Sequence, residues 1–141
     1  MTSFVLDNSV SMRWLLESGK KSDQAYAEAV LNSLLDATAV VPNLWHLEAS
    51  NVLIGALQRN ELDSEEVERF LSQLEALPIQ IDSSTARRAF RRTFILSKDH
   101  GLSSYDAAYL ELAVREGLPL ATLDKKLVKA ARSSNVALYL K

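Results

Sequence analysis

The sequence predicts an α/β protein built on a central parallel sheet of about five strands, with helices on both faces. Short apolar runs bounded by turn residues alternate with longer stretches whose apolar residues recur at helical spacing. This alternation continues along the whole 141-residue chain. Consecutive strands are therefore joined through helices, and such crossovers are right-handed. Composition agrees: hydrophobic residues make up 48% and charged residues 24% of the chain, as in a globular protein and unlike a disordered one.

Ser3 to Leu6 reads as the first strand and ends at Asp7. Val10 to Glu17 follows as a helix that Asp7 or Ser9 can cap. Gly19-Lys20 lacks the upstream glycine and strand of a phosphate loop, so it is read as a turn. A helix from about Ser22 to Leu35 leads to a second strand, Ala37 to Val41, closed by Pro42. The next helix, about Leu44 to Asn60, sets Glu48 among Leu44, Leu47, Val52, Leu53 and Leu57. Glu48, Asn51 and Gly55 fall on one of its faces.

Asp63 and Glu66 make a good helix start, and Val67, Phe70, Leu71, Leu74 and Leu77 form an amphipathic stripe. Pro78 ends that helix, and Ile79 to Ile81 is the third strand. Asp82 to Thr85 starts a helix with Ala86, Ala89, Phe90 and Phe94 on its apolar side. Its other side carries Arg87, Arg88, Arg91 and Arg92, the one dense basic cluster along the chain. A solvated face is the default reading of that cluster and a contact to RNA phosphates the sharper one.

The stretch from Leu102 to Leu127 reads as loop, helix, short strand, loop, helix. Ser103 caps the first helix, in which Ala107, Leu110, Ala113 and Val114 recur at helical spacing. Gly117 stops it and Pro119 prevents its resumption. Leu118 to Thr122 is the fourth strand, Lys125 to about Arg132 a last helix, and Val136 to Leu140 a last strand.

Asp7 follows the first strand, Asp124 follows the fourth, and Asp106 begins the helix leading into the fourth. If strands one and four are neighbours at a reversal of strand order, these acids meet in one crevice, and Glu48 can join them. Clustered carboxylates raise one another's pKa unless a cation neutralises them. A site of oxygen donors alone suits Mg²⁺ or Mn²⁺. Such metals activate water and stabilise in-line displacement at a phosphodiester. A plainer reading stands beside this one. Ser103 to Asp106 resembles a capping box, Asp124 can cap the helix at Lys125, and Glu48 can sit on a partly exposed edge.

These residues carry a resemblance. The sequence resembles PIN-domain ribonucleases, particularly the bacterial VapC-type toxins, over nearly its whole length. The matching segments are VLDNSV with Asp7, LWHLEASNVL with Glu48 and Asn51, LSSYDAAYLELA with Asp106, and LATLDKKLVKAA with Asp124. The resemblance implies a PIN-like three-layer sandwich, a single PIN domain over residues 1–141, with strand order 3-2-1-4-5. It implies an Mg²⁺-dependent endoribonuclease, with Mn²⁺ able to substitute, that hydrolyses RNA phosphodiester bonds by metal-activated water. Asp7, Glu48, Asp106 and Asp124 correspond to its catalytic acids. Asp7 and Asp106 would hold the metal, with Glu48 and Asp124 acting through water or a second ion. Ser9 and Thr122 match small hydroxyl residues beside that site, and Asn51 accompanies Glu48. Asn135 stands where many relatives have glycine. The implied partners are an RNA substrate, a cognate antitoxin and a second copy of the chain.

Other classes fit less well. A Rossmann or receiver switch needs a glycine-rich first loop, or paired acids after strand one, and Asp7 is followed by Asn8. A haloacid-type phosphatase wants a second aspartate where Ser9 stands. The histidines His46 and His100 form no metal motif, and with no cysteine in the chain thiolate sites are excluded. A catalytically silent PIN-like module that binds RNA or protein is the alternative from another class, and retention of all four acids counts against it. No apolar run approaches a membrane span and no signal-peptide pattern opens the chain, so a cytoplasmic protein is expected. The net charge of −2 means that any polyanion must be held by a local basic patch.

Overall fold

The structure is a computed structural model that describes residues 2–17 and 19–141. Its sheet has four parallel strands in the order β3-β2-β1-β4. They are β1 (Thr2–Leu6), β2 (Ala37–Pro42), β3 (Ile79–Asp82) and β4 (Leu120–Ala121). Strand β1 is central, pairing with β2 from Thr2↔Ala37 to Val5↔Val40 and with β4 at Val5↔Leu120 and Leu6↔Ala121. Phe4, Val5 and Leu6 are fully buried, as expected of a central strand covered on both faces.

The expected fifth strand, Val136 to Leu140, contributes a single parallel bridge, Leu120↔Leu138. Asn135 just before it and Leu140 at its end hold φ of 57° and 59°, outside the extended region. The strand is thereby cut to its middle. The segment still packs, with Tyr139 stacked on Phe4 at 3.8 Å between ring centroids.

The helices are α1 (Asn8–Ser11), α2 (Lys21–Ser33), α3 (Trp45–Gln58), α4 (Ser64–Glu75), α5 (Thr85–Arg88), α6 (Phe94–His100), α7 (Ser104–Glu116) and α8 (Lys125–Ser133). The first is shorter than expected and continues as a 3₁₀ turn, Met12–Trp14. Helix α4 starts at a complete capping box between Asp63 and Glu66. Helix α7 packs directly on β1 and β2 and buries every residue from Ala107 to Ala113. A π turn, Ala89–Thr93, joins α5 to α6.

That turn overturns the expected phase of the arginine helix. Phe90 is 95% exposed and Phe94 58%, whereas Thr93 and Leu96 are buried. A wide turn carries extra residues, so the face read from a 3.6-residue period does not persist across it. Glu48 also departs from its expected surroundings. Leu53 is buried, but Leu47 is 76% exposed and Val52 lies near the surface. No helix among the described residues is long and apolar enough to cross a membrane.

Candidate active site

The chain visits β1, β2 and β3 on one side and then returns to place β4 on the other side of β1. This is a reversal of strand order, and in open α/β sheets the crevice beyond the carboxyl ends of such strands receives ligands. Asp7 immediately follows β1, and its N–H donates to Ala121 O at 3.0 Å. Asp7 is 5% exposed. It occupies the N-cap position of α1 yet makes no side-chain cap bond. Its Oδ2 instead accepts from the Ser9 hydroxyl at 2.6 Å and the Thr122 hydroxyl at 2.8 Å. Oδ1 accepts no hydrogen bond from the described residues.

Burial pushes the Asp7 carboxyl up to about 6. The Ser9 and Thr122 hydroxyls pull it down, and the charges of Asp106 and Glu48 add to the rise. Glu48 is half-buried and also raised, first by burial. Hydrogen bonds from Tyr109 and Asn8 lower it and the Asp106 charge raises it. Asp106 is raised by burial and then by Asp124, against opposing effects of Ser103 and Lys126. All four acids are therefore linked in one electrostatic group. The helix role is separate from the carboxylate at Asp106 but not at Asp124. Ser103 caps α7 by accepting from the Asp106 N–H at 3.1 Å, and Asp124 caps α8 by accepting from the Leu127 N–H at 3.0 Å.

Two residues not singled out in the sequence complete the site. The Tyr109 hydroxyl donates to Glu48 Oε1 at 2.6 Å, and the ring is fully buried. Burial, reinforced by the surrounding carboxylates, holds its phenol far above the ordinary range, so it remains a donor. The Asn8 amide donates to Trp45 O at 2.9 Å and lies 3.4 Å from both Glu48 Oε1 and the Tyr109 oxygen. Ser11 in turn donates to Asn8 Oδ1 at 3.1 Å. Both were adjacent to visible signals: Asn8 follows Asp7, and Tyr109 lies three residues after Asp106 on one helix face.

Other sequence candidates lie apart from this group. Asn51 is exposed and makes no side-chain hydrogen bond among the described residues. Arg88 and Arg92 line a cavity with Glu111, Val114 and Arg115, in the last turns of α7, whereas Asp106 is in its first. At 1.5 Å per residue, the rise from Asp106 to Arg115 is ~14 Å. Arg115 itself is committed to Asp82 at 2.7 Å and Glu111 at 3.0 Å.

A profile of the PIN domain matches residues 4–133. The chain belongs to the PIN-domain family. Ribonuclease VapC3 of Pyrobaculum aerophilum is 27% identical over 113 residues, 80% of this chain and 81% of that protein. The crystal structure of PAE2754 from the same organism superposes with a TM-score of 0.66 at 20% identity, covering 92% of this chain and 79% of the other. FitAcB from Neisseria gonorrhoeae gives a TM-score of 0.59 at 19% identity, over 96% of each chain. These two likenesses concern the fold.

The donors of this PIN site fit a hard divalent cation. They are oxygen only, they repel one another, and one Asp7 oxygen is left without a partner among the described residues. Among the described residues no three Asp, Glu or His side chains converge tightly enough to enclose an ion. A cavity of about 350 Å³ opens alongside, lined in part by Asn8, Ser9, Arg13, Leu123 and Asp124.

Proposed function

We propose that this chain is an Mg²⁺-dependent endoribonuclease of the VapC type, with Mn²⁺ able to substitute. The observation that carries the reading is the buried Asp7, raised to about 6 and linked to Glu48 and Asp106 at the carboxyl ends of β1 and β4. Carboxylates that raise one another's pKa are relieved by a cation bound among them. Support for the substrate comes from the related protein named as a ribonuclease.

In this proposal Asp7 and Asp106 hold the metal, and Glu48 and Asp124 act through water or a second ion. Held there, a divalent cation would neutralise the acids and supply Lewis-acid polarisation of phosphate and water. The Ser9 and Thr122 hydroxyls fix the Asp7 carboxylate by occupying one of its oxygens. Tyr109 and Asn8 fix Glu48. Glu48, whose proton affinity is raised by burial, takes the proton of the attacking water. The water oxygen bonds to phosphorus as the backbone P–O bond breaks, and the departing oxygen takes a proton from solvent and leaves as an alcohol. Purified protein should cleave total RNA in Mg²⁺ and not in EDTA. RNA bound but left intact in both conditions would establish the silent binding module instead.

The same resemblance supports a cytoplasmic protein of one PIN domain held in check by a cognate antitoxin. It also supports a homodimer. Leu47 and Ile54, one face of α3, are 76% and 48% exposed, and Leu71 of α4 is 38% exposed. Isolated apolar side chains are ordinary on a surface, but a face of this kind marks an interface. Light scattering at micromolar concentration should give about twice the chain mass, and Leu47→Asp with Ile54→Asp should give the monomer. A monomeric wild type at all concentrations would refute the dimer.

A further inference from the structure

The fold assembles a second basic surface that is scattered in the sequence. A cleft of about 520 Å³ is lined by Lys20, Lys125, Lys129, Arg132 and Lys141, with Asp23 its one acid. The cations come from the start of α2, from α8 and from the end of the chain. All are exposed. Asp23 lies 3.9 Å from Arg13. Lys20, Lys125, Lys129 and Arg132 make no ion pair with any described residue. Lys141 is held over the Tyr26 ring, 4.6 Å from its centroid. The positive charge is thus not consumed by the described residues.

Its position is as informative as its charge. Leu123 lines both this cleft and the cavity beside Asp124, so the two depressions share a wall. Lys125 directly follows Asp124. Lys125, Lys129 and Arg132 are spaced i, i+4 and i+7 along α8, a single helix face that extends ~10 Å from the acidic group. A polyanion crossing the acids meets repulsion there and unopposed positive charge next to it.

We infer that this cleft binds the RNA backbone on one side of the cleavage site, and that it, more than the arginine face of α5 and the π turn, holds the substrate. The inference rests on the ribonuclease reading for its substrate class. It differs from that reading in what it predicts, because backbone binding requires neither the acids nor a metal. Cleft and acids divide the work: phosphates flanking the reacting one are held by lysines and arginine, while the reacting phosphate is brought to carboxylates that would repel it without a cation.

The test is fluorescence anisotropy of a labelled single-stranded oligoribonucleotide in EDTA, where binding is read without cleavage. Lys129→Ala with Arg132→Ala removes two cations from an exposed helix face and leaves the caps of α8 intact. Binding at low salt should weaken about tenfold, and the slope of log K against log salt should flatten by about 1.4, the loss of two phosphate contacts on a single strand. Lys129→Arg with Arg132→Lys should restore both. Arg87→Ala with Arg91→Ala should weaken binding less. In Mg²⁺ the cleft variant should show a raised KM for long RNA with kcat little changed.

Unchanged affinity and salt slope in the cleft variant would overturn the inference, whether or not the wild type cuts RNA. A wild type that binds RNA through the cleft yet cuts none would uphold it and remove the nuclease reading. Polyglutamate binding the cleft more tightly than RNA would overturn it in favour of an acidic protein segment.

Discussion

Asp106→Asn should reduce RNA cleavage at least a hundredfold while leaving metal-free stability equal to wild type or higher. A residue that caps a helix would behave in the opposite way. The structure separates the two roles at this position. Ser103 accepts from the Asp106 backbone N–H, and a side-chain change to asparagine keeps that bond. What the change removes is a carboxylate raised by burial and by Asp124. Loss of a like charge relieves repulsion with Asp7 and Glu48 as well, which Asp106 pushes upward. In EDTA the variant should therefore melt no lower. Mg²⁺ stabilises whatever state binds it, so it should raise the wild-type melting temperature and raise that of the variant less. Two melting curves in EDTA, two in Mg²⁺ and a cleavage assay on the same samples decide the matter. A variant that melts lower in EDTA, responds fully to Mg²⁺ and still cuts RNA would return Asp106 to a structural role.

The parts of this molecule that were legible in the sequence are those set by neighbours along the chain. Ser103, Asp63 and Asp124 cap their helices as their spacing suggests, because capping is a bond between residues three apart. Asp7 could be placed at the end of a strand because the apolar run before it is short and complete. The sequence leaves the reversal of strand order conditional, and the pairing of β1 with β4 supplies it. What escaped the sequence depends on which elements meet. The bond from Tyr109 to Glu48 joins α7 to α3, and nothing near either residue announces the other. The lysine cleft draws on Lys20, Lys129 and Lys141, whose separation hides their density. The arginines, adjacent in sequence, were conspicuous for that reason alone. Backbone departures were equally hidden. The π turn at Ala89–Thr93 and the positive φ of Asn135 and Leu140 reset a helix phase and shortened a strand without changing the apolar pattern that suggested them.

Asp7→Asn should change how metal-free stability responds to pH. The folded protein holds the Asp7 proton up to about pH 6, against an ordinary value of 3.8. A carboxyl raised on folding contributes stability that is complete below its unfolded pKa and is lost as pH rises through its folded pKa. The relevant window is therefore from about 4 to about 6. At 1.36 kcal/mol per unit, a shift of this size amounts to ~3 kcal/mol. Glu48 and Asp106 are raised in the same direction, so wild-type protein without metal should lose stability across this range. Asparagine cannot ionise, and its side-chain oxygen can still accept from Ser9 and Thr122. The variant and wild type should therefore be close in stability near pH 4. At pH 7 the variant should be the more stable, by a difference in melting temperature of ~6–12 °C for a chain of this size. Acids elsewhere, such as those around Arg115, are common to both proteins and cancel in the comparison. Saturating Mg²⁺ at pH 7 should shrink or reverse the gap, since only the wild type presents the full set of acids to the cation. A gap between the two proteins that stays constant from pH 4 to pH 7 would mean that Asp7 ionises as freely folded as unfolded. The electrostatic coupling of the four acids would then lose its central member.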